Sequence, residues 1–520
     1  MKKNWIRIIA ICLLVVFVGT TVGCTIFEED GPRRTPSSTP KPTPREFVGQ
    51  ITFSTYKRSP NDVSAHAFAH DFAMIYPNVD IVIDEMESAE EYFATLDERI
   101  KNGTIGDVFV IDDSRIAEYV ENDYIVDFTP YLEDLIEYKT YKRLKPHEIL
   151  FDAAYKSAQY KKGMYMMPTD YNHKFVFINY DLFSKAGLSV PGDKWTFEDF
   201  VRCAEELSKL DEVKIPAVMD YLDPAIWGAF ARGFTGVLFP EEEEEEKSTE
   251  TPASTDENGD ATPDPEASPS ETPAPTKKEP KIEKPEGSLY YINKEDSIIT
   301  LTLTNEEVLM GLTELAEIIK QGYVQKADVN PEDLSGIGMI VTDKMEFNTW
   351  TDVLRNAEFE WDLIHFPTLP KRFVGVNTLG LAVSTKTAEA SEEQKDMSVQ
   401  FALHTLIQEA AVVYAGNGES VPASKAVNAM KFWREYPVRG KNTSVFATYT
   451  ENDFPSIMTY LMNIEAAREY HKIGEAIENY INNGASLEDA LKEIEDRVHE
   501  LWEQEPVYAE TPEPTNTPKP

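Results

Sequence analysis

The chain has 520 residues, 91 acidic against 50 basic side chains, and a formal net charge of −41. That excess argues against a phosphate backbone as partner, because nucleic-acid recognition runs through basic surface. Of the three cysteines, Cys12 and Cys24 stand at the N-terminal end and only Cys203 lies in the body, so no disulfide staples it and a core must hold it together.

The first 23 residues carry Lys2, Lys3 and Arg7, then the apolar run Ile8 to Val18, then small and β-branched residues up to Gly23. This is the pattern of a secretory signal peptide, short of the span of about 20 apolar residues that a membrane helix needs. The cysteine after Thr21-Val22-Gly23 resembles the bacterial lipoprotein box, with Thr21 where a leucine is common. The resemblance implies lipidation of Cys24 and anchoring on the extracytoplasmic face of the cell membrane; an uncleaved anchor or ordinary cleavage nearby are the alternatives. Residues 24–46 are rich in Pro, Thr and Ser and read as an extended tether, and residues 506–520 as a disordered tail.

Between these ends, strand-like and helix-like segments alternate. Gln50 to Ser54, Val79 to Ile83 and Val108 to Ile111 read as strands, and Val63 to Tyr76 and Tyr92 to Ile100 as helices. Strands separated by amphipathic helices predict parallel βαβ units, with ligands held beyond the carboxyl ends of the strands. Met164 to Met167 and Phe175 to Ile178 are predicted strands around a polar run, Pro168 to His173. Phe197 to Leu210 and Asn305 to Gln321 are predicted helices, Phe373 to Ser384 a strand region, and Met397 to Tyr414, Ile457 to Asn482 and Leu487 to Trp502 long helices. Residues 240–287 interrupt the series. Between Glu241 and Glu286 stand sixteen acidic residues and five lysines, and this insertion has nothing to bury.

Cys203, at helical spacing in FEDFVRCAEELSKL, reads as a small core residue. His66 and His70 sit four apart on one helix face and read as surface. No histidine pair has metal-ligand spacing, and no P-loop or dinucleotide fingerprint is present. No metal, no cofactor and no catalytic residue is therefore expected.

The order of segments resembles the extracytoplasmic solute-binding proteins of ATP-driven importers, in the group that includes maltose- and oligosaccharide-binding receptors. The strongest piece is GMYMMPTDYNHKFVFINYDLFSKAGLSVPGDKWTFEDF, Gly163 to Phe200. ITFSTY, FAMIYPNVDIVID, GDVFVIDDSR, YIVDFTPYL, LTNEEVLMGLTELAEIIKQGYV, GIGMIVTD, HFPTLP, VGVNTLGLAVSTKT, GESVPASKAV and SLEDALKEIEDRV follow in the family's order. The similarity covers about Phe47 to Leu501 apart from the insertion. A tryptophan common after the GIGMIVTD turn in sugar receptors is replaced by Met345 and Phe347, with Trp350 later.

The resemblance implies an α/β, two-lobed periplasmic-binding-protein-like fold of type II. Each lobe would be a mostly parallel sheet flanked by helices, hinged at crossovers near Pro168 to Tyr171 and Pro370 to Val374, with a third after Pro422. Residues 47–167 and 371–430 would form the first lobe, and 168–370 with 431–505 the second. A small solute, most simply a sugar or oligosaccharide, would bind in the cleft and bring the lobes together. The partners implied are the transmembrane subunits of an ABC permease and the membrane, with the receptor itself a monomer.

Expected ligand contacts are Tyr56, Asp112, Asp113, Asp170, Tyr171, Asn172, Trp227, Thr342, Asp343 and Trp350, since rings stack on sugar faces and carboxylates and amides take hydroxyls. Lobe packing for Tyr56, a helix cap for Asp113, hinge hydrogen bonding for Asp170, Tyr171 and Asn172, and core packing for Trp227 are the competing roles. Trp361 and Trp433 read as packing. An exported carbohydrate-active hydrolase, or a receptor for a non-sugar solute, is the alternative function.

Overall fold

A computed structural model describes residues 46–132, 135–136, 142–237, 289–292, 299–435, 438, 440–447, 449–450 and 452–504. The signal segment, Cys24, the tether up to residue 45, the insertion 240–287 and the tail 506–520 lie outside the described residues.

The first lobe opens with β1 (Gly49–Tyr56), α1 (Ser64–Ile75), β2 (Val79–Met86), α2 (Ala89–Asn102) and β3 (Val108–Asp112). The reasons are local. Ser88 caps α2 by accepting from the Glu91 amide at 3.2 Å, Glu90 and Glu91 occupy its positive end, and Arg99 and Lys101 its negative end. Gly103 ends it with a left-handed φ of 63°. β1 pairs in parallel with β2 and β3, and Val108 to Ile111 are fully buried, as a central parallel strand requires.

Then β4 (Met167–His173) runs into β5 (Phe175–Asn179), followed by α3 (Phe197–Leu207), β6 (Ile215–Val218), α4 (Pro224–Gly233), α5 (Glu306–Lys320), β7 (Val324–Gln325), β8 (Ile337–Thr342), α6 (Lys344–Arg355) and β9 (Trp361–His365). The chain returns through β10 (Val374–Val383), α7 (Glu392–Leu403), α8 (Gln408–Ala415) and β11 (Asp453–Pro455), and closes with α9 (Ile464–Tyr470), α10 (Ile473–Asn483) and α11 (Leu487–Gln504).

Two sheets result. The first has the order β11-β10-β3-β1-β2, with β4 also on β10; the second is β7-β6-β8-β5-β9. Both are mixed: the first has three parallel and two antiparallel junctions, the second two of each. The antiparallel junctions, β10 with β3 and β4, and β5 with β8 and β9, fall on strands that enter from the other lobe and so arrive reversed. One apolar cluster joins the first lobe to one face of the second sheet and the other lies on the opposite face of that sheet; β5 divides them by its period of two, with Phe175 and Phe177 in the first cluster and Val176 and Ile178 in the second.

Four expectations are corrected. The polar run Pro168 to His173, expected as a crossover loop, is strand β4 and is buried throughout. Its polar side chains find partners inside the protein, which polarity alone does not reveal. The segments given to the second lobe also contribute to the first sheet, through β4 and β11. The helix expected from Met397 to Tyr414 is broken at Ile407, whose backbone is extended (φ −79°, ψ 125°), so that α8 turns to pack on α1. The helical stretch expected from Ile457 starts only at Ile464, capped by Asn463. Cys203 is buried with a free thiol, His66 and His70 are on the surface, and Trp361 and Trp433 are packed inside.

α4 and α5 lie against each other with almost no space between backbones. A Cβ on Gly311 would stand 1.9 Å from the Phe230 carbonyl oxygen. Gly311→Ala is therefore expected to cost about 1–3 kcal/mol of stability, measured as a lower urea midpoint with an unchanged slope.

Candidate functional site

The facing edges of the two lobes meet around the loop after β1, the crossover strand β4, the turn after α8, and the start of α6. β4 is held on both sides. It pairs with β10 with a register shift between Leu379 and Gly380, where Asp170 faces Leu379 and Pro168 faces Gly380. On its other side Tyr171 N donates to Val421 O at 2.8 Å and Ala423 N to Thr169 O at 3.1 Å. That second seam holds the turn carrying Glu419 against β4, with Asp170 bridged to Pro422, and the bulge fixes which way the strand's side chains point.

A buried set of charges results. Arg58 donates from Nη2 to Asp170 Oδ2 at 3.2 Å and to the Tyr414 hydroxyl at 2.5 Å, and its Nη1 lies 3.5 Å from Asp62 Oδ2. The guanidinium also sits 4.8 Å from the Tyr414 ring centre and 5.6 Å from that of Tyr56. Asp62 accepts from the amide and hydroxyl of Ser64 and from Asn417 Nδ2. Burial alone would raise its carboxyl, but Arg58 and Ser64 hold it below the ordinary range. Glu419 accepts from Ser59 Oγ at 2.8 Å through Oε1; burial pushes its carboxyl up. Arg58 Nε and Glu419 Oε2 are buried and find no hydrogen-bond partner among the described residues.

The second lobe reaches this set with α6. Its first residue, Lys344, is 1% exposed and donates to Asn348 Oδ1, while Asn348 Nδ2 donates across the seam to Glu419 O at 2.8 Å. Tyr56 Oη approaches Met345 Sδ at 3.8 Å. Burial pushes the Lys344 ammonium down to about 8, against the opposing pull of Glu419, Asp170 and Asp62.

Beside it, Lys174, the single residue between β4 and β5, joins Asp223 at 2.7 Å and Asp343 at 2.9 Å. These carboxylates cap α4 and α6, accepting from Ala225 N and Glu346 N. Despite burial, Lys174 holds the Asp343 carboxyl down and is itself held up.

The sequence-derived residues divide between this seam and other places. Tyr56 and Asp170 are in the charged set, and Thr342 and Asp343 directly precede Lys344, with Thr342 Oγ1 donating to Glu346 Oε2 at 2.7 Å. Tyr171 and Asn172 lie on β4: the Tyr171 hydroxyl donates to Asp453 Oδ2 at 2.7 Å, and Asn172 is paired opposite Asn377. Asp112 caps the turn at Ser114 and pairs with Arg115. Asp113 is buried and accepts from Thr378 N at 3.1 Å. Trp227 packs edge-on against Tyr470 with ring centres 5.2 Å apart, and Trp350 packs against Phe177 and Phe347.

Sequence reasoning did not pick out Arg58, Asp62, Lys344, Asn348 or Glu419. The usable signal was position: Arg58 follows β1 by two residues and Lys344 follows β8 by two, where open sheets hold ligands. Among the described residues no group of three or more His, Cys, Asp or Glu is placed to hold a metal ion, and no helix is long and apolar enough to cross a membrane.

Lys344 sets a pH signature. Between about pH 8 and the ordinary lysine value of about 10.5, the unfolded chain still holds a proton that the folded protein has released, so stability rises with pH across that window. Lys344→Met is expected to be more stable than the parent at pH 7, by on the order of 2–3 kcal/mol, with the gap narrowing as pH climbs through the window. Urea titrations at pH 7, 8.5 and 10 measure it.

No curated protein matches the chain significantly. Solved structures do. The ABC substrate-binding protein Lmo0181 from Listeria monocytogenes, in complex with cycloalternan, has 18% identity and a TM-score of 0.59, covering 87% of this chain and 98% of that one. The cyclic alpha-maltosyl-1,6-maltose binding protein from Arthrobacter globiformis has 12% identity and a TM-score of 0.58, covering 88% and 99%. The GacH receptor of Streptomyces glaucescens, solved unliganded and with acarbose, has 13% identity and a TM-score of 0.56, covering 88% and 99%. At these identities the likeness is one of fold. The family model for bacterial extracellular solute-binding proteins matches residues 67–440, and the chain belongs to that family.

Proposed function

We propose that the protein is a lipid-anchored receptor that captures a sugar or oligosaccharide between its lobes and presents it, chemically unaltered, to an ATP-driven permease. The observation that carries the solute class is the buried pair of unpartnered polar atoms at the seam. Arg58 Nε is a donor and Glu419 Oε2 an acceptor, on side chains linked through adjacent residues 58 and 59. A polyol offers both an acceptor and a donor on every hydroxyl, and so satisfies both. Burying such groups unsatisfied costs on the order of 1–3 kcal/mol each, which a bound solute recovers.

The comparisons support the same class, since the three proteins above are one in complex with cycloalternan, one that binds cyclic alpha-maltosyl-1,6-maltose and one solved with acarbose. Tyr56, Asp170, Thr342 and Asp343 line this site in the proposed reading, with Arg58, Glu419, Lys344 and Asn348 added. Anchoring rests on the cysteine after the signal pattern, Cys24.

Binding to the folded form raises its stability by mass action. The melting temperature of the purified protein is expected to rise with at least one of cycloalternan, maltose and acarbose, and chromatography of the mixture is expected to recover that compound intact. A flat response to all three counts against the sugar class, and a cleaved product against the receptor reading.

Asp170→Ala leaves Arg58 buried with Asp62 as its remaining carboxylate. It is expected to weaken solute binding at least tenfold and to lower stability by about 3–5 kcal/mol. Calorimetric titration and urea unfolding read the two effects.

A further inference from the structure

Lys344 and Glu419 are opposite charges from opposite lobes, both buried, and they do not form an ion pair among the described residues. Lys344 has the Asn348 side chain as its hydrogen-bond partner and the Phe446 ring centre 5.2 Å away. Glu419 uses one oxygen on Ser59 and leaves the other without a partner. The two segments are nonetheless held together, because Asn348, four residues along α6, donates to the backbone oxygen of Glu419 in the turn after α8. An ammonium has three donors and no acceptor, and an ionised carboxylate has only acceptors. A group that satisfies both must accept from one and donate to the other, which a hydroxyl does.

We propose that Lys344 and Glu419 form a two-lobe clamp on one hydroxyl of the solute, and that this clamp selects an uncharged hydroxylated group over a carboxylate, phosphate or amine at that point. The inference rests on the solute-receptor reading above and deepens it. The groups that face the ammonium electrostatically are Glu419, Asp170, Asp62 and Arg58 from the first lobe, and Phe347 and Phe446 flank it. With three carboxylates and two cations ionised, the set has a net charge of −1. An anionic solute group would meet Lys344 at the expense of three carboxylates. An amine would meet Glu419 at the expense of Lys344 and Arg58. A hydroxyl meets both ends of the clamp with charge-assisted hydrogen bonds and no such penalty.

The same geometry assigns the clamp a role in closing. Each lobe supplies one end, so the solute hydroxyl adds a link between the Lys344 and Glu419 side chains to the contact that Asn348 already makes with the Glu419 carbonyl. The differential contact belongs to the closed form alone, as a ligand-driven population shift requires.

The test uses the full protein, with cycloalternan, maltose and acarbose as probes, and the Lys344→Met and Glu419→Gln variants singly and together. For whichever probe binds the parent, each single variant is expected to raise Kd ten- to a hundredfold, and the double variant to raise it by less than the product of the two. Urea midpoints establish that the variants are folded. Single-variant Kd values within twofold of the parent, or effects that multiply in the double variant, overturn the clamp while leaving the receptor reading intact. If none of the three probes binds the parent, the sugar reading and the clamp fall together.

Discussion

The lobes' meeting edge is organised by one buried guanidinium. Arg58 ties the loop after β1 to the crossover strand β4 through Asp170, and to α8 through the Tyr414 hydroxyl. A charge removed from water costs several kcal/mol unless it is paired and hydrogen-bonded. That cost constrains everything around it: β4 must run strand-like between β10 and residues 421–423 for Asp170 to reach Arg58. The same seam places Glu419, and α6 from the other lobe then packs its first turn over the set. The apolar cores supply the bulk of folding energy, but they are indifferent to which solute the edge receives. In the proposed reading the polar seam sets specificity.

Much of the architecture was legible in the sequence because its signals are periodic. Ile51 and Phe53 alternate into the core, α2 carries a cap at each end, and Asn305 caps α5 at the position the pattern indicated. What resisted reading was any segment whose polarity is satisfied internally. Asp170, Tyr171 and His173 look like loop residues, yet each meets a partner from a distant segment: Arg58, Asp453 and the Val445 carbonyl. His173 shows the consequence, its imidazole pushed down to about 4 by burial. Long-range pairing of that kind has no local trace.

The site was legible by place more than by residue. Strand ends pointed to Tyr56, Asp112, Asp113, Thr342 and Asp343, and the resemblance to Asp170, Tyr171 and Trp227. Tyr56 and Asp170 sit in the charged set, and Thr342 and Asp343 next to it. Asp112 and Asp113 are engaged in local capping and backbone contacts, and Trp227 and Trp350 are packed among aromatic rings. Aromatic residues draw attention because they suit sugars, but they fill cores equally well. The five residues passed over are charged or amide side chains, whose burial depends on contacts between segments up to several hundred positions apart.

Lys174 gives this architecture a mechanical consequence. It occupies the one-residue joint between the two sheets and grips the capping carboxylates of both α4 and α6, so turning the joint carries both helices with it as one lever. Lys344 begins α6 directly after Asp343, so the same grip that holds the cap holds the buried ammonium at the meeting edge of the lobes.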